Sequence, residues 1–191
     1  LMRSVKKREF KGLDRVYLFT DLIRTGTTDF APVPVDPEED LALLQYTGGT
    51  TGVAKGVMLT HRNLIANTEQ ARKWMYRNRY GQEAILGVLP FFHVYGMTVV
   101  MNLGIMHVAK LIILPRFNVE ETLKTIEKQR PTLFPGAPTM YIALINHPDI
   151  HKYDLSSIET CISGSAPLPV EVQQTFERLT GGKLVEGYGL S

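Results

Sequence analysis

Leu44-Gln45-Tyr46-Thr47-Gly48-Gly49-Thr50-Thr51-Gly52-Val53-Ala54-Lys55 is the stretch from which the rest of the chain is read. Its three glycines permit a backbone that no bulky residue holds, and they let peptide N–H groups approach an anion closely. Three threonines add hydroxyl donors, and Lys55 adds a mobile positive charge. The apolar run Leu41-Ala42-Leu43-Leu44 just before it reads as a buried strand. The loop is therefore expected to leave the end of a sheet, where open α/β folds bind their ligands. Chemistry and position together describe a phosphate cradle. A Walker A loop is excluded, because Lys55 lies between Ala54 and Gly56 and no Gly-Lys-[Ser/Thr] run exists. A plain surface turn has no use for threonines and a lysine in this arrangement.

The 191-residue chain is long enough for one domain with a substantial core. A net charge of +2 does not point to nucleic acid as a partner. The single Cys161 excludes an intramolecular disulfide and suits a reducing compartment, so a cytoplasmic location is expected. No apolar run approaches the roughly 20 residues of a membrane-spanning helix. The first residue is Leu1, and the final Glu186-Gly187-Tyr188-Gly189-Leu190-Ser191 breaks off inside a motif. Both suggest a piece of a longer protein.

Residues 1–40 read as a lead-in strand and loop: a basic start, an apolar strand over Arg15–Thr20, and a Pro-rich acidic stretch. From residue 41 onward, strands and helices alternate. Thr60 caps a helix running to about Arg77, whose Leu64, Thr68, Ala71 and Met75 share a face. Strand 84–89 ends at Pro90, and a helix follows through His107. Strand 110–114 precedes a helix capped by Asn118, with Glu121 at the capping-box position. Thr132–Phe134 leads to a helix opened by Pro138, with Tyr141, Leu144 and Ile145 inward. Strand 158–162 precedes a helix with Val172, Phe176 and Leu179 inward, and Lys183–Val185 is the last strand. Such alternation predicts an α/β fold, with a mostly parallel sheet covered by helices on both faces.

Four loops follow these strands: the phosphate loop, 90–97, 163–169 and 186–191. A parallel sheet would gather all four at one edge, around one crevice. Ser163 and Ser165 do not form a Gly-x-Ser-x-Gly elbow, which excludes that type of hydrolase nucleophile. Cys161 reads as a packed apolar group within a strand. His147 and His151 lack a third metal ligand, and Pro148 breaks any helix joining them.

All twelve positions of 44–55 fit the signature loop of the acyl-adenylate-forming enzymes. Segments Tyr46–Asn67, Leu89–Met101, Thr132–Leu144, Cys161–Val172 and Gly182–Leu190 further resemble the bacterial long-chain fatty-acid–CoA ligases of that AMP-binding superfamily. The similarity runs from about residue 36 onward. It implies that 41–191 is the incomplete AMP-binding core of the large N-terminal domain, with the small C-terminal domain lying elsewhere. It also implies a reaction in which ATP and a carboxylic acid form an acyl adenylate, whose acyl group passes to coenzyme A.

The same resemblance assigns roles. Thr47, Gly48, Gly49, Thr50, Thr51, Gly52 and Lys55 would hold the β- and γ-phosphates, with Thr47 near magnesium and with Thr47 and Lys55 serving the chemistry. Gly164, Ser165 and Ala166 would flank the adenine and the acyl chain. Tyr188 would stack on adenine beside Glu186 and Gly187. Ser191 stands where the family usually carries Thr, near the α-phosphate. His93 would serve at the mouth between the acyl and coenzyme tunnels; alternatively it is a hydrogen-bonded packing residue. The activity of an isolated fragment is expected to be low, and open apolar sheet edges would favour self-association. Peripheral contact with the inner face of a membrane is a further expectation. An aryl- or amino-acid-activating enzyme and a non-catalytic nucleotide- or acyl-binding module are the alternative readings.

Overall fold

A computed structural model describes residues 17, 19–27, 31–47, 54–75 and 77–189. The described residues fall into two compact units that divide between Val35 and Asp36. The basic stretch 1–12 lies outside the described residues.

In the first unit, α1 (Phe19–Thr25) replaces the expected strand at Phe19 and Thr20, while Arg15, Val16 and Leu18 lie outside the described residues. Local side-chain bonds at helical spacing support the helix. The Arg24 guanidinium donates to Asp21 at 3.1 Å, and the Thr25 hydroxyl donates to the Asp21 carbonyl at 2.8 Å.

The second unit opens with β1 (Leu41–Thr47) and β2 (Lys55–Thr60), which pair as an antiparallel two-stranded sheet. This corrects the expectation that β1 is a buried strand of the main sheet. Leu41 and Leu44 are exposed. The strands that flank the glycine-rich sequence therefore pair with each other, and neither belongs to the main sheet, which leaves three of the four expected loops following its strands. Cross-strand packing favours the hairpin: Tyr46 pairs with Gly56, and its ring lies 3.4 Å from where a Cβ on that glycine would stand.

β2 runs straight into α2 (His61–Trp74) through Thr60. The Thr60 hydroxyl accepts from Asn63 N–H at 3.3 Å, and the Asn63 side chain accepts from Thr60 N–H at 2.9 Å. This reciprocal cap satisfies two otherwise orphaned donors.

The main sheet has five parallel strands in the order β4-β3-β5-β6-β7. They are β3 (Ala84–Gly87), β4 (Lys110–Ile113), β5 (Leu133–Gly136), β6 (Thr160–Ser163) and β7 (Lys183–Glu186). Between β3 and β4 run α3 (Val94–Gly96), a π-helical segment (Met97–Asn102) and α4 (Leu103–Met106). The remaining helices are α5 (Val119–Gln129), α6 (Pro138–Ile145) and α7 (Val170–Thr180). The Asn118 side chain accepts from Glu121 N–H at 2.9 Å and starts α5. Arg130, in the left-handed region at φ 53°, ends it.

Alternation along the strands divides the core. Leu86, Phe134, Cys161 and Leu184 face one side and pack with Leu123, Tyr141 and Phe176 from α5, α6 and α7. Ile85 and Leu133 face the other side, against Val100 of the π-helical segment and Met75 just beyond α2. The sheet is thus covered by helices on both faces, as expected for an α/β fold. The larger core is centred on an aromatic cluster. Tyr141 meets Phe134 and Phe176 edge-on, at centroid separations of 5.3 and 4.9 Å. Leu179, expected inward, is instead 38 % exposed on the rim of α7. Among the described residues, no helix is long and apolar enough to cross a membrane.

Candidate functional site

Strand order places the site. The chain lays β4 on one side of β3 and then crosses to lay β5 on the other, so the order reverses between β3 and β5. Ligands of open α/β sheets bind beyond the carboxyl ends of the strands at such a reversal. A cleft of about 870 Å³ opens there. Its lining comes from the segment after β3 (His93, Tyr95), the loop after β6 (Gly164, Ser165, Ala166), the stretch closing β7 (Glu186, Gly187, Tyr188) and the inner face of α2. Seven of the residues singled out in the sequence meet in this one cleft: His93, Gly164, Ser165, Ala166, Glu186, Gly187 and Tyr188.

The backbone beneath the cleft is tied in layers. Gly164 N–H donates to the Gly136 carbonyl at 3.0 Å, and Gly187 N–H donates to the Ser163 carbonyl at 2.7 Å. At both positions a side chain would have to displace a neighbouring one. A Cβ on Gly164 would lie 2.9 Å from the Tyr95 ring, and one on Gly187 would lie 2.9 Å from Ile162 Cγ2. Next to Gly164, Ser165 takes φ 74°, a left-handed conformation uncommon for a residue with a side chain. The loop then continues to Leu168, whose N–H donates to the Glu186 carboxylate at 3.1 Å. Glu186 therefore joins the loop after β6 to the end of β7, in addition to lining the cleft.

His93 is half-buried and caps α3, with its Nδ1 accepting from Tyr95 N–H at 3.2 Å. In the neutral ring this leaves the proton on Nε2, so the free edge of the imidazole is a donor. His93 thus both caps α3 and lines the cleft. Tyr188 is 92 % exposed, and its ring stands between glycines on the cleft wall. Cys161 is buried, and burial pushes its thiol far above the ordinary range, so it is inert packing at neutral pH. His147 is a local structural residue: its Nδ1 accepts from Asp149 N–H at 3.3 Å and its ring meets Tyr153 edge-on.

Thr47 and Lys55 are brought together by the hairpin, where they are register partners. Lys55 is exposed there and does not line the cleft among the described residues. Gly48, Gly49, Thr50, Thr51, Gly52 and Ser191 lie outside the described residues.

Asn67, Gln70 and Trp74 of α2 also line the cleft and were missed in the sequence. Their spacing is that of one helix face, but polar residues on a helix read as solvated until a second wall faces them.

The model of the AMP-binding enzyme family matches residues 4–191. The chain belongs to the AMP-binding enzyme family. Among curated relatives, a long-chain-fatty-acid–CoA ligase of Bacillus subtilis (strain 168) is 56 % identical over 184 residues, which cover 96 % of this chain and 33 % of that protein. The 4-coumarate–CoA ligase CCL1 of Humulus lupulus is 36 % identical over 176 residues, covering 91 % of this chain and 32 % of that protein. This AMP-binding chain thus spans about a third of the length of those relatives. Among solved structures, apo MatB from Rhodopseudomonas palustris superposes with a TM-score of 0.77 at 29 % identity, over 90 % of this chain and 33 % of that one. FadD1 from Archaeoglobus fulgidus, described as a long-chain-fatty-acid-CoA ligase, gives 0.71 at 29 % identity, over 88 % of this chain and 35 % of that one.

Proposed function

We propose that the protein containing this AMP-binding chain is a long-chain fatty-acid–CoA ligase. In the first step the acid's carboxylate oxygen bonds to the α-phosphorus of ATP, and the bond from that phosphorus to pyrophosphate breaks. In the second step the thiol of coenzyme A bonds to the acyl carbon, AMP leaves and the thiol proton is lost. The observation that carries the reading is the convergence of three strand-end loops on one cleft, with His93, Ser165 and Tyr188 on different walls. The identity to the Bacillus subtilis ligase supports a fatty acid as the acid.

Each residue has work suited to its chemistry. The exposed Tyr188 ring offers a stacking face to a purine. The loop Gly164–Ala166 bounds the space between that face and the acyl chain. His93, with Nε2 as donor, can hydrogen-bond an acyl oxygen but cannot remove a proton while in that tautomer. Lys55 and the glycine-rich segment would stabilise the charge gathering on departing pyrophosphate. A magnesium ion carried with the nucleotide suits the hard oxygen donor of Thr47 and would neutralise phosphate charge.

The test is acid-dependent pyrophosphate release by the protein containing this chain, across alkyl and aryl acids. Release strongest with long alkyl acids is expected. Release confined to aryl acids would favour the second reading, another carboxylate-activating ligase, which the likeness to the Humulus lupulus enzyme supports. ATP binding with no release for any acid would instead leave a nucleotide-binding module.

The proposal extends to a cytoplasmic protein that meets its substrate at a membrane surface, in keeping with a single buried Cys161. Self-association of the 191-residue chain is also proposed. The edge strands β4 and β7 expose Ile113 and Val185, and light scattering at rising concentration reads the outcome.

A further inference from the structure

We propose that Tyr95 is a positioning residue for adenylation, holding the Gly164–Ala166 loop in place from below; the proposal rests on the ligase reading above. Tyr95 stands two residues beyond His93 at the reversal of the strand order, and its ring passes under two neighbouring strand ends. Its hydroxyl donates to the Ile162 carbonyl at 2.7 Å and lies 3.2 Å from the Gly136 carbonyl. These two carbonyls belong to β6 and β5, directly below the point where the chain turns into the loop. The ring itself fills the space that a side chain at residue 164 would need.

Three features converge on this one phenol. The Gly136 carbonyl that it approaches is also the acceptor for Gly164 N–H, so hydroxyl and amide share an anchor. The Ile162 carbonyl also accepts from the Tyr141 hydroxyl at 2.9 Å, so two phenols, the half-buried Tyr95 and the buried Tyr141, fix the same peptide. Immediately above, Ser165 holds its left-handed backbone, a conformation that persists only where neighbouring contacts impose it. Burial keeps the Tyr95 hydroxyl protonated throughout the neutral range, and hence always a donor. The chain thus couples the segment carrying His93 to the opposite wall carrying Ser165 through one side chain.

Tyr95→Phe keeps the ring and removes the two-carbonyl anchor. It is examined in the protein containing this chain by hydrogen exchange of peptides covering 163–166 and by pyrophosphate release. Exchange there is expected to quicken about tenfold, with peptides across β5 unchanged, and kcat/KM for the acid to fall about tenfold at an unaltered KM for coenzyme A. A purely structural role would lower the melting temperature while leaving the folded variant's kcat/KM intact, and that result overturns the proposal. Unchanged exchange at 163–166 overturns the anchoring itself. If the unaltered protein releases no pyrophosphate with any acid, the ligase reading fails and the catalytic consequence fails with it, while the exchange arm still decides the anchoring.

Discussion

Thr47 and Lys55 face one another as the last register pair of the β1–β2 hairpin. The sequence between them is short enough that both strand ends must hold its two termini close together. An exposed lysine at that position brings a mobile charge next to the glycine-rich sequence without entering the cleft wall. Lys55→Met should therefore lower acid-dependent pyrophosphate release on the order of 10²-fold, as removal of one preorganised donor does elsewhere. Because Lys55 is exposed, the thermal midpoint should hardly move. Unchanged release would remove Lys55 from the site.

Gly96 is a second point where one methyl group decides an outcome. It is buried in α3, and a Cβ there would stand 2.5 Å from the Pro90 carbonyl oxygen and 3.1 Å from its carbon. Both obstacles are backbone, so neither can swing aside. Gly96→Ala should destabilise the fold by about 1–3 kcal/mol, the usual cost of forcing extra volume into packed structure. Urea unfolding measures it directly. Because His93 caps α3, the variant should also lose pyrophosphate release while still folded.

Much of this fold is legible from punctuation. Thr60, Asn118 and Pro138 each sit at the start of a helix because each solves a local problem of unpaired N–H groups. The strands of the main sheet are legible because they are short apolar runs between those helices. The hairpin was not: Leu41–Leu44 is equally apolar in a parallel strand and in an antiparallel pair. Only the partner, Gly56 beneath Tyr46, distinguishes them. α1 was hidden for a related reason, since Val16, Tyr17 and Phe19 favour strands while the helix depends on Asp21 bonding to Arg24 and Thr25. In the site, the loop residues could be found because strand ends converge at an edge. Asn67, Gln70 and Trp74 could not, because only tertiary packing turns that side of α2 toward Gly164 and Tyr188.

Tyr141 and Phe176 separate two costs in the aromatic core. Tyr141 is fully buried, and its hydroxyl donates to the Phe134 carbonyl at 2.7 Å as well as to Ile162. Tyr141→Phe leaves the ring packing and removes those bonds, for an expected loss of about 1–3 kcal/mol. Phe176→Ala leaves a cavity beside Phe134 and Tyr141, with an expected loss of about 3–5 kcal/mol. The order of the two unfolding free energies is the prediction. A smaller loss for Phe176→Ala would mean that the core collapses around the gap.

Acid should weaken the fold through two carboxylates near the amino ends of the strands. Hydrogen bonds from the Ser156 hydroxyl and N–H, at 2.6 and 2.9 Å, hold the Asp154 carboxyl down to about 2, with the Arg130 guanidinium assisting. Burial alone would push Glu83 up. Bonds from Thr132, the Arg79 N–H and the Arg79 guanidinium outweigh it, and the carboxyl ends below its ordinary value. Arg79 also donates to Glu159 at 2.6 Å, so Glu83 belongs to a bridge between β3 and β6. For both acids the unfolded chain binds its proton at a higher pH than the folded one. Their contribution is complete above the ordinary carboxylate range and disappears as pH falls through the folded values. The stability deficit of Asp154→Asn relative to the parent should be greatest near neutral pH. It should shrink from about pH 5 downward and vanish only below about pH 2, once pH has fallen past the folded value, read by urea unfolding across that range. A deficit independent of pH would mean that Asp154 acts by shape and hydrogen bonding in either protonation state, not through its charge.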